Sequence, residues 1–190
     1  MKVVIDTSSL LSLVRYYLPF DRERRLFNFI KLQIQNGNLI IIDAVLKECE
    51  FTSKQMVVKS LDYLNDKSFR KDYKVPEKTK DLLPPSTKKF YNLVDDNFRT
   101  PISRRLNDAE FEQRKKEFLE SADARMIIYA LNERNSDSEI DIVIVTEETE
   151  VANDNKAFKK IPAICKILNL QVMTLPQLLE SYKGINVAIN

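Results

Sequence analysis

The stretch Val3-Val4-Ile5-Asp6-Thr7-Ser8-Ser9-Leu10-Leu11 decides the fold. Three β-branched residues without a polar interruption are the pattern of a short strand buried on both faces, as in a parallel sheet covered by helices. The run ends at Asp6-Thr7-Ser8-Ser9, whose short polar side chains favour a helix start. Leu10, Leu11, Leu13, Val14 and Tyr17 then recur at helical spacing until Pro19. A carboxylate just beyond such a strand stands where open parallel sheets bind ligands. Asp6 is therefore either a functional group or a helix cap, and position alone does not choose.

Outward from this stretch the alternation repeats. Leu26, Phe27, Phe29, Ile30 and Ile34 give a helix an apolar face, and Asn36-Gly37-Asn38 ends it. Leu39–Ile42 reads as the next strand, with Asp43 placed to cap a helix carrying Val45, Leu46 and Cys49. Later elements are a charged helix over 108–120, a break at Ser121, and a helix with Met126, Ile127, Ala130 and Leu131. A strand over Ile140–Val145, a helix over Ile161–Leu168, a short strand at Val172–Met173 and a helix over Leu175–Tyr182 complete the series. Strands alternating with helices predict an α/β chain, a single domain over 1–183. Its centre is a mostly parallel sheet of 4–5 short strands in three α/β/α layers. Residues 184–190 are expected as a C-terminal tail or, over 185–189, an edge strand.

The middle, residues 51–119, is predicted as mostly helical and part of the same domain, with helices over 54–66 and 86–98. It carries 16 basic against 11 acidic residues, while 120–190 carries 7 against 11. Lys54, Lys59, Arg104, Arg105, Arg114, Lys115 and Lys116 are candidates for an electropositive approach to a polyanion. The ordinary alternative is a solvated helix face. Tyr16, Tyr17 and Phe20 either stack on bases or, by the more ordinary expectation, pack against the next helix.

Composition excludes much chemistry. The 190 residues contain no histidine, which removes Ser-His-Asp and Cys-His triads and His-ligated zinc or haem. Only two glycines, Gly37 and Gly184, are present, so there is no glycine-rich phosphate loop. Cys49 and Cys165 form no CxxC and read as buried thiols. No stretch resembles a signal peptide or a membrane span, so a soluble cytoplasmic protein is expected. Any metal would be held mainly by oxygen, which points to Mg²⁺ or Mn²⁺.

Several carboxylates stand at strand ends or helix starts. Glu148 lies past the Ile142–Val145 segment as Asp6 lies past the first strand. Asp123 opens a helix, where a carboxylate is also stabilised by unpaired amides. Glu48 sits on the helix after the second strand, where it can equally be a solvated side chain. Carboxylates from separate elements that meet at one sheet edge repel one another unless a cation joins them.

These stretches resemble the PIN-domain family of metal-dependent nucleases, most closely a branch of small microbial PIN-like proteins. The matching segments are VVIDTSSLL at 3–11, YYLPFD at 16–21, GNLIIIDAVLKECE at 37–50, FLESADARMIIYAL at 118–131, IVIVTEETE at 142–150 and KKIPAICKILNLQVMTLPQLLE at 159–180. Residues 51–115 carry little of the likeness. The resemblance implies a single PIN-like domain whose acidic, catalytic and metal-binding set is Asp6, Glu48, Asp123 and Glu148, holding one or two Mg²⁺ or Mn²⁺ ions. Glu147 replaces a histidine of the closer branch and can substitute for Glu148. Ser8 and Thr146 would position waters or carboxylates. Arg104, Arg105, Arg114, Lys115 and Lys116 are carried forward as nucleic-acid contacts.

The activity implied is phosphodiester hydrolysis of single-stranded or structured RNA, an endoribonuclease such as the toxin of a toxin–antitoxin pair. RNA, an antitoxin protein and a second copy of the chain are the implied partners. The alternatives are a catalytically silent PIN-like protein acting through protein contacts and a structure-specific DNA nuclease. A receiver domain lacks its acidic pair here, and an Asp-x-Asp phosphatase would need Asp at position 8, which is Ser.

Overall fold

The computed structural model describes residues 1–137, 139–150 and 156–182. β1 (Lys2–Ile5) leads at Asp6 into α1 (Thr7–Ser12), which runs on through a wider π-helical turn (Leu13–Tyr17) and a tight 3₁₀ turn (Leu18–Phe20). Then come α2 (Arg25–Gln35), β2 (Leu39–Ile40), α3 (Asp43–Phe51), α4 (Met56–Ser60), α5 (Lys67–Asp72) and α6 (Thr87–Asp96). The remainder is α7 (Asp108–Glu120), α8 (Ala122–Ser136), β3 (Ile142–Val145), α9 (Ile161–Leu168), β4 (Gln171–Met173) and α10 (Leu175–Ser181).

Among the described residues the strands form one four-stranded sheet in the order β2-β1-β3-β4, with every neighbouring pair parallel. Val3, Val4 and Ile5 of β1 and all of β3 are buried. Successive strand residues point to opposite faces, so helices must cover both sides. This is the expected α/β architecture with a parallel sheet.

The chain lays β2 on one side of β1 and then returns to lay β3 on the other. That reversal makes the carboxyl ends of β1 and β3 a topological switch point, where such sheets form their ligand-binding crevice. Asp6 follows β1 and Thr146-Glu147-Glu148 follow β3, so the crevice is acidic.

Several boundaries differ from expectation. The strand predicted over Leu39–Ile42 pairs with β1 only through Leu39 and Ile40. Ile41 and Ile42 turn instead to the segment around Glu77, whose N–H donates to Ile41 O at 2.9 Å. Asp43 is the first residue of α3 rather than its cap, and it accepts from the Ala44 N–H and the Thr79 hydroxyl. β3 starts at Ile142, two residues late. The helix expected over 54–66 breaks into turns around α4, beginning with Ser53, Lys54 and Gln55 in succession at φ 48°, 56° and 63°. α5 was not anticipated, although Asp66 caps it by accepting from the Ser68 and Phe69 N–H groups. The edge strand expected over 185–189 lies outside the described residues.

The middle segment contributes to the same core as the sheet: Leu61, Phe90, Val94 and Phe98 are buried with Val4, Ile127 and Ile144. Tyr16 and Phe20 do not pack against the next helix, being 66 % and 64 % exposed. No helix among the described residues is long and apolar enough to cross a membrane.

Cys49 and Cys165 are free and buried, and burial pushes each thiol up to about 12. A thiolate is the reactive form, so neither should react with a disulfide reagent at pH 8 in the folded protein. Both should react once urea unfolds it. Rapid native labelling of either cysteine would contradict this placement.

Candidate functional site

Asp6 is held by its own loop. Its Oδ1 accepts from the Thr7 N–H at 2.7 Å, which starts α1. Its Oδ2 accepts from the Ser8 hydroxyl at 2.6 Å and from Thr146 Oγ1 at 2.9 Å. The short Thr7-Ser8 pair thus fixes the carboxylate from the α1 side, and Thr146, directly after β3, fixes it from the neighbouring strand. Asp6 is 6 % exposed. Cap and functional group are compatible here, because a carboxylate oxygen has more than one lone pair.

Glu48 arrives from α3. Its Oε2 accepts from the Thr7 hydroxyl at 2.6 Å, which ties an otherwise exposed side chain to the residue after Asp6. Asp123 stands in the first turn of α8, whose N-cap Ser121 accepts from the Ala124 N–H. Burial raises the Asp123 carboxyl to about 7, and the charges of Glu148, Asp6 and Glu48 push the same way. The cation that opposes them is Lys156. Carboxylates from three separate elements therefore bear on the buried Asp123 of a fourth.

The two adjacent glutamates have different surroundings. Glu147 Oε1 accepts from the Leu175 N–H at 2.7 Å, at the start of α10, and from Ser9 Oγ at 3.1 Å. It also acts with burial to raise the Tyr17 phenol. Glu148 Oε2 accepts from the Ile161 N–H at 3.1 Å, and its Oε1 stands 3.8 Å from Lys156 Nζ. Glu148 is the one that bears on Asp123. Lys156 is not singled out by the sequence, where it is one lysine among several before α9; only the return of the chain to the crevice gives it a role.

The predicted basic contacts divide. Lys115 is drawn into an ion pair with Asp95, and Arg114 pairs with Glu117 at 3.0 Å. Arg104, Arg105 and Lys116 are exposed. Cations already committed to carboxylates are poorer phosphate contacts, because binding must first break the pair.

Among the described residues no three carboxylate or thiol side chains are already gathered as a metal cage. The donor set nonetheless fits a hard divalent ion. It is all oxygen, and the raised Asp123 carboxyl marks a place where either a proton or a cation relieves repulsion. The family model described as a domain of unknown function, DUF4411, matches residues 3–184. No curated protein and no solved structure matches the chain.

Proposed function

From a chain that belongs to the DUF4411 family, we propose a PIN-like nuclease that hydrolyses phosphodiester bonds in RNA with Mg²⁺ or Mn²⁺. The observation that carries this reading is the common field of Asp6, Glu48, Asp123 and Glu148 at the crevice between β1 and β3. A hard divalent ion bound there would lower the pKa of a coordinated water and neutralise charge on the scissile phosphate. Asp6 and Asp123 would hold the ion, with Glu48 and Glu148 completing the acidic ring.

The chain's own groups supply the positioning. Ser8 and Thr146 donate to Asp6 and fix its carboxylate in place. Thr7 does the same for Glu48. Lys156, beside Glu148, offers a positive charge to a phosphate oxygen on the same side. The buried β1 and β3 give these groups a rigid base, which matters because small misplacements cost large factors in rate.

Purified protein should cleave a loop-containing RNA in Mn²⁺ or Mg²⁺, and EDTA should stop it. Asp6→Asn keeps the side chain's size and removes one charge, so it should retain the circular-dichroism spectrum and lose cleavage. Cleavage at the wild-type rate in Asp6→Asn would sink the site.

The lack of a ready-made cage among the described residues favours one second reading, a catalytically silent PIN-like protein that works through protein contacts. It takes over if RNA and DNA panels show no metal-dependent cleavage. Cleavage confined to structured DNA would instead make the protein a DNA nuclease. An antitoxin partner and a homodimer belong to the proposal only through the PIN resemblance.

A further inference from the structure

The helix that leaves the acidic crevice carries a second feature on its outer side. Beyond α1 the chain continues through the π-helical turn that carries Tyr16 and the 3₁₀ turn that carries Phe20. This segment begins beside Asp6, to which the Ser8 hydroxyl donates, and ends in two aromatic rings open to solvent. Tyr16 lies eight residues beyond Ser8.

α3 supplies a third ring. Phe51 follows Glu48 by three residues, one turn along the same side, and is 79 % exposed. Arg15 donates to Ser53 Oγ at 2.6 Å and holds the two segments side by side. Close to these rings in sequence, Arg15, Arg22 and Lys54 make no ion pair among the described residues. Single exposed apolar residues are unremarkable in a folded protein. Three exposed aromatics interleaved with cations that no carboxylate pairs, on segments that leave an acidic site, are the composition of a surface that stacks bases and holds phosphates.

We propose that Tyr16, Phe20 and Phe51 form a stacking platform for unpaired bases of a single-stranded nucleic acid whose backbone runs on to the carboxylate crevice. The inference rests on the nuclease reading and adds how the substrate is selected. Stacking needs a base face free on at least one side, which a continuous duplex hides. The platform therefore discriminates by strandedness rather than by sequence, since every base has a face to offer. The cations favour this occupant over an apolar protein surface, which would leave them without partners.

The test measures binding in EDTA, where no cleavage occurs, by anisotropy of labelled oligouridylate, oligothymidylate and a duplex of the same length. Tyr16→Ala and Phe51→Ala should each weaken single-strand affinity by about 5- to 100-fold, the cost of one lost stack. Duplex affinity should hardly change, and Tyr16→Phe should restore binding. In Mn²⁺ the same variants should raise KM with little change in kcat. Leu83→Ala removes an exposed apolar side chain beside Asn132, far along α8 from Asp123, and should have no effect. Equal loss on uridylate and thymidylate assigns the platform to bases alone; loss on uridylate only makes it an RNA platform.

If the Tyr16→Ala/Phe51→Ala double variant binds and cleaves like the wild type, the platform is wrong and the nuclease reading stands. If the wild type neither binds nor cleaves any of the three, both fall. If the double variant keeps its affinity but loses self-association in sedimentation, the patch is a protein interface and the proposal is overturned.

Discussion

Asp123→Asn is expected to lower metal-dependent cleavage by at least about 100-fold and, in the absence of metal at pH 8, to raise the stability of the fold. Both effects have one origin. The Asp123 carboxyl titrates at about 7 in the folded protein, raised by burial and then by Glu148, Asp6 and Glu48. In the unfolded chain it titrates near 4. Between those values the folded state binds the proton and the unfolded state does not, so this group's contribution to stability falls as pH rises from about 4 to about 7. Above 7 the loss is complete, on the order of 4 kcal/mol.

Asparagine has no charge to bury, so the variant should match the wild type near pH 4 and exceed it at pH 8. Urea denaturation in EDTA at the two pH values measures this. Added Mn²⁺ should stabilise the wild type and leave the variant almost unmoved, because binding to the native state alone raises its stability. A variant that is less stable at pH 8, with cleavage intact, would mean that Asp123 serves the helix start and not a cation.

The second large effect concerns the joint between the middle segment and the sheet. Phe98→Ala should cost about 3–5 kcal/mol, the usual range for emptying a buried aromatic site. Phe98 is fully buried, edge-on to Phe90 at 5.8 Å and to Phe118 at 6.5 Å. Phe118 in turn stacks on Phe158 at 4.5 Å. The backbone follows the rings: Lys159 N–H donates to Phe98 O at 2.8 Å, and Thr100 N–H to Ala157 O at 3.0 Å. Through this cluster α6 and α7 hold the segment that leads into α9, whose first N–H reaches Glu148.

Loss of Phe98 should therefore lower the denaturation midpoint of the whole chain in one transition, seen alike by circular dichroism and tyrosine fluorescence. Phe98→Leu should cost less, since it keeps most of the volume. Two separate transitions, with the sheet surviving the first, would show the middle segment to be an independent unit.

How much of this was legible depends on the range of the interaction involved. The apolar run Val3-Val4-Ile5 could only be a covered strand, and Asp6-Thr7-Ser8-Ser9 could only start a helix, because both follow from side-chain shape and local hydrogen bonding. The break at Ser121 was legible for the same reason. Leu39–Ile42 was overread because apolarity records burial and not pairing: all four residues are buried, yet Ile41 and Ile42 leave the sheet for the segment around Glu77. Tyr16 and Phe20 were assigned to packing because rings are ordinarily buried, and a sequence does not say which helix face lacks a neighbour.

By itself the sequence determined the alternation of strands and helices, the absence of any imidazole chemistry in a chain without histidine, and the identity of the carboxylates that end the strands. These are properties of composition and of neighbours a few residues apart. The tertiary structure alone decided that β3 lies beside β1, so that Thr146 reaches Asp6 across 140 residues of chain. It also decided that Glu148 rather than Glu147 bears on Asp123, that Lys156 comes to the crevice, and that Lys115 is taken by Asp95. The physical reason is that charge and hydrogen bonding act over a few ångströms in space, and which distant residues come within that reach is fixed only when the sheet order is chosen.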